Sequence, residues 1–357
     1  MDILQPSQPN LLINGLMELF QRGTAQIVGA ANATYFADRW KTNQTITGTG
    51  PTLDQSVDVP SKALGDPFNA LSQFSQLYTG PAADVFTAGE FASVQQSIEG
   101  YNFAPHRFGT FAMTFKVKSS LPGIYTIGFR NSNNLASYIT EYTINSANTW
   151  EEKTVFMKEP PPLTLGVWNF TTGVGLNVQF GLDSGSTFRT SQTDQWVSGI
   201  FHSSANAVNF FANGGETIRF CDVMFTPGPF GIPVTRAGRD FPEELAKAQR
   251  YYEKSYEFNV APGTVTSNNT HHWHFLAVNR ELTTVNYINE KRSIPSSVHM
   301  YNPVTGVIDN VRQGDASANV AAGSISPNGT KNFSTFAGGV FALGQFWFAH
   351  WTSDAEL

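Results

Sequence analysis

Strict alternation of apolar and polar residues constrains this chain more than any other feature, because successive side chains of a strand point to opposite faces of a sheet. Phe111, Met113, Phe115 and Val117 alternate with Ala112, Thr114, Lys116 and Lys118. Tyr125, Ile127 and Phe129 repeat the pattern, and Val174, Leu176, Val178, Phe180 and Leu182 repeat it again. The spacing predicts strands with one dry and one wet face. Between them stand Leu121-Pro122-Gly123, Asn131-Ser132-Asn133-Asn134, Asp183-Ser184-Gly185 and Asn213-Gly214-Gly215, which supply residues that tolerate positive φ in turns. No helical period intervenes, so a parallel α/β sheet is excluded. The expectation is an all-β fold, an antiparallel jelly-roll sandwich.

One helix is expected, over about 241–255. Asp240 is placed to cap it, Pro242 and Glu243 suit its first turn, and Phe241, Leu245, Ala248 and Tyr252 fall on one face. It follows the stiff stretch Thr226-Pro227-Gly228-Pro229-Phe230-Gly231-Ile232-Pro233, which cannot continue a sheet. Alternation then resumes at lower contrast in 269–278, 296–301, 306–311 and 338–350. The sequence therefore divides into a jelly-roll domain, 1–238, and a connecting helix with a second, smaller antiparallel β-domain, 239–357. No repeat of 20 to 50 residues recurs, which disfavours a propeller, a solenoid or a right-handed β-helix.

Composition excludes several function classes. Only 14% of the 357 residues are charged, against roughly a quarter in ordinary globular proteins. Twenty-two basic residues face 28 acidic ones, a net charge of −6 with no basic run, so nucleic acid is not an expected partner. No apolar run reaches the ~18 residues that span a bilayer, so no membrane insertion is expected. A single cysteine, Cys221, leaves no intrachain disulfide; its alternation with Val223 and Phe225 marks it as a core residue rather than a reactive thiol. The start, Met1-Asp2-Ile3-Leu4-Gln5-Pro6, lacks the basic and apolar regions of a signal peptide, and synthesis and folding in a cytoplasm are expected.

The chemistry-bearing residues form no catalytic motif. Glu151, Glu152, Asp183, Asp194 and Glu216 are candidate acids, but no spacing singles out a pair of the kind that cleaves polysaccharide. Gly-x-Ser-x-Gly, His-Glu-x-x-His and a phosphate-binding glycine loop are absent, and no cofactor is called for. Thr270-His271-His272-Trp273-His274 is the most metal-like stretch: on a strand His272 and His274 share a face, and three copies around a threefold axis would gather six imidazoles, although ordinary solvated histidines explain the same pattern.

Sugar recognition requires flat aromatic faces beside amides and carboxylates, because pyranose C–H surfaces stack on rings and hydroxyls need directional partners. Trp150, Trp168, Trp196, Trp273, Trp347 and Trp351 are the available indoles, each of them also a candidate core residue. Trp196, in Ser191-Gln192-Thr193-Asp194-Gln195-Trp196, has the most loop-like setting, and Trp196, Asp194, Trp168 and Trp273 are the candidate glycan-binding residues. Trp40, after Asp38-Arg39, reads instead as a buried, charge-paired corner. Arg250, Tyr251 and Tyr252 on the helix are candidates for a domain or subunit interface.

Asn10-Leu11-Leu12-Ile13-Asn14-Gly15, Phe20-Gln21-Arg22-Gly23, Ala37-Asp38-Arg39-Trp40, Ser137-Tyr138 and Asn148-Thr149-Trp150-Glu151 stand in an order and spacing that resembles a jelly-roll module frequent in bacteriophage tail-fibre and other virion surface proteins. The stretch from Glu244 to Lys254 and the ending Trp351-Thr352-Ser353-Asp354-Ala355-Glu356-Leu357 resemble the same family, so the likeness spans nearly the whole chain. It implies a carbohydrate-binding-module-like jelly roll with a small C-terminal β-domain, in a fibre or receptor-binding component. With the module beginning about ten residues in, a compact spike, fibre tip or capsid decoration is expected rather than a long fibre.

The expectation is thus a non-enzymatic virion protein at the tail or capsid surface, a homotrimer whose partners are other virion proteins and host surface glycan. The rivals are a capsid decoration or head-fibre protein with purely structural contacts, and a polysaccharide depolymerase.

Overall fold

The structure is a computed structural model that describes residues 9–29, 33–60, 71–232, 240–274, 282–314, 318–322, 325–327, 329–336 and 346–357. The chain forms two compact units: Met1–Phe20 with Thr24–Asp240, and Gln21–Gly23 with Phe241–Leu357.

In the first unit two six-stranded antiparallel sheets make a jelly-roll-like sandwich. One sheet runs β1 (Ala25–Ile27), β3 (Thr52–Ser56), β4 (Ser75–Thr79), β14 (Thr217–Pro227), β6 (Phe111–Ser119), β9 (Glu151–Met157). The other runs β12 (Trp196–Ser198), β8 (Ala136–Ile144), β7 (Gly123–Arg130), β10 (Val174–Ser184), β5 (Phe91–Glu99), β2 (Lys41–Thr45). Two short parallel strands, β11 (Arg189–Thr190) and β13 (Ser203–Ser204), and one helical turn, α1 (Gly100–Phe103), complete it. The predicted alternation supplies the core: Phe111, Met113, Phe115 and Val117 of β6 meet Ile127 and Phe129 of β7 and Val178 and Phe180 of β10. Each such buried side chain contributes about 1.5–3 kcal/mol.

The outer faces depart from expectation. β10 and β6 are buried on both faces, so the predicted wet sides are covered. Lys116 lies under cover because Asp222 pairs with it at 3.0 Å. On the other sheet, residues 201–202 lie across the strands: Gln179 Nε2 donates to Phe201 O at 3.2 Å, and Thr126 Oγ1 donates to His202 O at 3.4 Å. Alternation identifies the face that joins the core and says nothing about a loop that folds over the other. The turn at Gly123 takes a positive φ of 139°, but Gly185 has φ −72° and follows a strand that continues through Asp183 to Ser184.

The N-terminal motif residues clamp this unit. Asn10 Nδ2 donates to Val223 O at 2.9 Å and its Oδ1 accepts from Phe225 N at 2.8 Å. Asn14, at φ 57°, accepts from Glu18 N and Leu19 N and donates to Asp38 O. Asp38, Arg39 and Trp40 are buried, with Arg39 Nη2 donating to Ser97 O at 2.6 Å and Trp40 Nε1 to Asn14 O at 3.2 Å.

The second unit is built on the long strand β23 (Phe346–Asp354). It pairs with β15 (Tyr252–Lys254), β16 (His271–His274), β18 (Ser297–Tyr301) and β19 (Asn310–Gln313), and β19 continues to β20 (Ala318–Ala321). A three-stranded sheet, β17 (Leu282–Asn286), β22 (Asn332–Phe336), β21 (Ile325–Pro327), lies alongside in sequence. Of the strand expected at 338–350, positions 338–345 lie outside the described residues, as do parts of the 269–278 strand and of the 227–238 boundary. The helix is shorter than predicted. α2 covers Phe241–Gln249, because Tyr252, Glu253 and Lys254 pair with Asp354, Ser353 and Thr352 of β23. Ladder pairing there outweighs the helical period that carried the prediction to 255.

Candidate functional site

Two of the predicted indoles come together at one end of the first unit. Trp196 opens the edge strand β12 opposite Tyr138 of β8. The turn before it places Asp194 at φ 59°, where Asp194 N donates to Ile139 O at 2.8 Å and Thr140 Oγ1 donates to the Asp194 carboxylate at 2.7 Å. Trp168 arrives on the loop between β9 and β10. That loop is pinned from beneath by the predicted Asn-rich turn: Asn131 Nδ2 donates to Val167 O, Val167 N donates to Asn133 Oδ1, and Asn169 N donates to Ser132 Oγ.

The Trp168 and Trp196 rings lie 5.6 Å apart, edge to face at 74°. Trp196 also meets Tyr138 edge to face at 5.7 Å, and Trp168 stacks on Phe103 at 5.8 Å. Both indoles are half-buried against the core, and both N–H groups are satisfied by backbone: Trp168 donates to Pro162 O and Leu165 O, and Trp196 to Glu159 O. Their polar edges are therefore fixed, and what they offer outward is ring surface. Burial foremost pushes the Tyr138 phenol up to about 12, although the Lys158 backbone N–H donates to it, so beneath the pair it is a neutral hydroxyl.

Charged and further aromatic groups border the pair. Lys158 Nζ bonds Asp194 at 3.3 Å in an exposed ion pair, and Trp196 N donates to the Glu159 carboxylate. Phe170 lies 6.5 Å from Phe103, and the Arg107 guanidinium covers both Phe170 and Phe108. An open cleft of about 240 Å³, lined by Phe111, Phe156, Met157, Lys158 and Pro229 among others, includes the same Lys158. Phe103, Arg107, Phe108 and Phe170 were missed from sequence, since they sit on a helical turn and loops with no period; the density of rings in Tyr101-Asn102-Phe103 through Phe108 was the available signal.

The remaining candidates are placed elsewhere. Trp273 lies on β16 of the second unit, and its side chain, like that of His274, is outside the described residues. His272 shares a hydrogen bond of 2.8 Å with Thr270 Oγ1 and stacks on Phe348. Among the described residues no three His, Cys, Asp or Glu side chains gather in a metal-like group. Trp347 and Trp351 are core residues of the second unit, and Trp150 donates its Nε1 to Asp58 at 2.9 Å. Tyr251 and Tyr252 are buried, with the Arg22 guanidinium 3.7 Å from the Tyr252 ring, and Arg250 is half-buried and donates to Glu290 O.

Three of the candidate acids, Glu151, Glu216 and Asp183, are held by contacts within the fold. Glu151 accepts from Asn145 N, Ser146 N and Lys153 Nζ, and these donors hold its carboxyl below the ordinary range despite partial burial. Glu216 accepts from Ser120 Oγ and Asn213 Nδ2. Asp183 accepts from Ser184 N, Arg189 Nη2 and Phe211 N, while burial raises its pKa. Glu152 is exposed on the edge strand β9.

No protein-family model matches the chain, and no curated protein does. Solved structures give distant likenesses. The enzymatically active domain of tailspike protein 4 of bacteriophage CBA120 is 17% identical with a TM-score of 0.33, over 61% of this chain and 21% of that one. TmCBM61, in complex with β-1,4-galactotriose, is 10% identical with a TM-score of 0.28, over 62% of this chain and 99% of that one. The family 11 carbohydrate-binding module of cellulase Lic26A-Cel5E of Clostridium thermocellum is 8% identical with a TM-score of 0.28, over 58% and 98% of the two chains.

Proposed function

We propose that this chain is a non-enzymatic surface protein of a bacteriophage particle that holds host glycan on the aromatic face built by Trp168 and Trp196. The observation that carries the reading is the half-exposed indole pair, 5.6 Å apart, with its N–H groups tied to backbone and the exposed Lys158–Asp194 pair at its border. Ring faces stack on sugar C–H surfaces, and the charged pair supplies directional partners for hydroxyls. Display in several copies, as in a homotrimer on a particle, would raise weak single-site affinity by avidity.

A second reading has its own observation. Phe108, Val167 and Tyr101 are 67%, 59% and 57% exposed, and apolar exposure of this kind marks protein contacts, as in a capsid decoration or head-fibre protein. A glycan array and host-cell adsorption with the isolated protein separate the two. Binding to glycan without release of reducing ends is expected. Binding confined to capsid or tail subunits would establish decoration instead, and release of reducing ends would establish a depolymerase.

A further inference from the structure

The aromatic face that begins at the indole pair ends on a cation. α1 and the turn after it, Ala104–His106, lead to Arg107, and this segment is fastened to the loop that carries Trp168. Gly100 N donates to Gly173 O at 2.8 Å and Tyr101 N to Thr171 O at 2.9 Å. Gly100 admits no side chain, since a Cβ there would meet Asn169 O at 2.5 Å and Thr171 N at 2.6 Å. Asn169 Oδ1 accepts from Thr171 N and Gly173 N and holds the loop in shape. Phe170 follows Trp168 by two residues, at most about 7 Å along the chain. The two rings lie at 15° and 19° to the plane of the buried Phe103.

Arg107 lies over this face. Its guanidinium carbon is 5.5 Å from the Phe170 ring centre and 4.4 Å from that of Phe108, and Nη1 donates to Ala104 O at 2.6 Å. Nε and Nη2 have no protein partner and neither is buried, so both are open to solvent. Arg22, Arg189 and Arg219 each face a carboxylate within 3.5 Å, whereas among the described residues no carboxylate pairs with Arg107. Contact with two rings and one backbone bond restrict the side chain, so a ligand meets an ordered fork with donors to spare. The charges are also divided along the face: Glu159 and Asp194 stand at the Trp196 end, the latter tied to Lys158, and Arg107 stands at the Phe170 end.

We propose that Arg107 makes this face selective for acidic glycan, by taking the oxyanion of a sugar residue that lies over Phe170, next to the ring seated on Trp168. The proposal rests on the reading that the indole pair holds glycan, and it narrows the ligand of that same site. A guanidinium offers donors and no acceptor and keeps its charge at any physiological pH. A neutral hydroxyl accepts one of its bonds and leaves the charge unpaired. A carboxylate or phosphate accepts two parallel bonds and neutralises it. The acids at the Trp196 end repel a second anion there, so the acidic residue of the glycan is directed to the Phe170 end and neutral residues to the indoles.

Equilibrium titration of the full chain with matched probes tests it. Galacturonate and mannuronate trimers carry the anion as carboxylate and glucose 6-phosphate carries it as phosphate; galactose and mannose trimers and glucose are their neutral counterparts. At least one anionic probe should bind about tenfold more tightly than its counterpart at low salt, the scale of one hydrogen-bonded charge, and the gap should narrow as salt is added. In Arg107→Gln the gap should close while the neutral probe binds as before, and Arg107→Lys, which keeps the charge without the fork, should retain part of it, both with melting temperatures close to wild type. The anion with the wider gap, carboxylate or phosphate, is then the one the site takes. Silence from every anionic probe, equal binding of anionic and neutral probes, or a gap that survives in Arg107→Gln would overturn the proposal. Equal binding that is lost in Trp168→Ala/Trp196→Ala sinks the selectivity alone; a gap that closes in Arg107→Gln but is untouched in the tryptophan variant sinks the reading of the indole pair alone.

Discussion

Arg130 and His202 meet inside the first unit with Nη1 3.1 Å from the imidazole Nε2, and both residues are almost fully buried. Arg130 Nη2 donates to Gln95 Oε1 at 2.8 Å, and among the described residues no carboxylate pairs with the guanidinium. The imidazole must therefore be neutral, with Nε2 accepting. Burial lowers Arg130 to about 10, and burial followed by the Arg130 charge pushes His202 well below its ordinary range.

Acid should destabilise the first unit through this contact. From the elements packed on His202 come Arg130 of β7, Phe91 of β5 stacked at 3.8 Å, and Phe188 edge-on. Its folded pKa is depressed while the unfolded chain takes up a proton near ~6.5, so the stabilisation is complete above that pH and is lost progressively as pH falls below it. The melting temperature should drop between pH 7.5 and 5, and drop less in His202→Gln, whose amide oxygen can still accept from Arg130. His106, His271 and His350 are shifted in the same direction and leave that variant a residual slope. Equal slopes in the two proteins would refute the assignment.

In the second unit, Lys291 and Glu253 form an ion pair with neither side chain exposed, and Glu253 also accepts from Ile288 N and Asn289 N. Glu253→Gln leaves a buried ammonium without its counter-charge. A loss of about 3–5 kcal/mol is expected in urea unfolding, and a loss under ~1 kcal/mol, typical of an exposed pair, would contradict the buried geometry.

Cys221 should be inert. It is fully buried, and burial foremost raises its thiol well above the ordinary range. A disulfide reagent should modify it only at the rate of unfolding, and prompt labelling of the native protein would contradict this.

Gly15 faces the β14 backbone, where an added Cβ would meet Val223 O at 2.1 Å. Gly15→Ala should cost about 1–3 kcal/mol through overpacking. A thermal melt that matches the wild type would show that the N-terminal clamp yields.

These residues also show what the sequence disclosed. The inward rows of β6, β7 and β10 were legible because burial on the core side imposes a period of two. Asn10, Asn14 and Gly15 were visible as a motif, but only the structure shows that Asn10 and Gly15 meet β14 and that Asn14 ties the segment from Glu18 to Asp38. Trp168, Trp196 and Asp194 were singled out as exposed ring and carboxylate chemistry, and they lie together; Trp273 is on the other unit, where the domain division expected from the sequence already put it. The covering segment over β7 and β10, the Arg130–His202 contact and the seat of Arg107 on Phe170 arise from loops that pack across long sequence separations, and no local pattern encodes them.

Equilibrium binding of host-cell surface polysaccharide to the full chain and to Trp168→Ala/Trp196→Ala, with reducing ends assayed in the same samples, tests the glycan reading most directly. The wild type should bind and release no reducing ends, and the folded double variant should lose about tenfold or more in affinity, the scale of two ring contacts at about 0.5–1.5 kcal/mol each. Undiminished binding by the double variant, or cleavage by either protein, would contradict it.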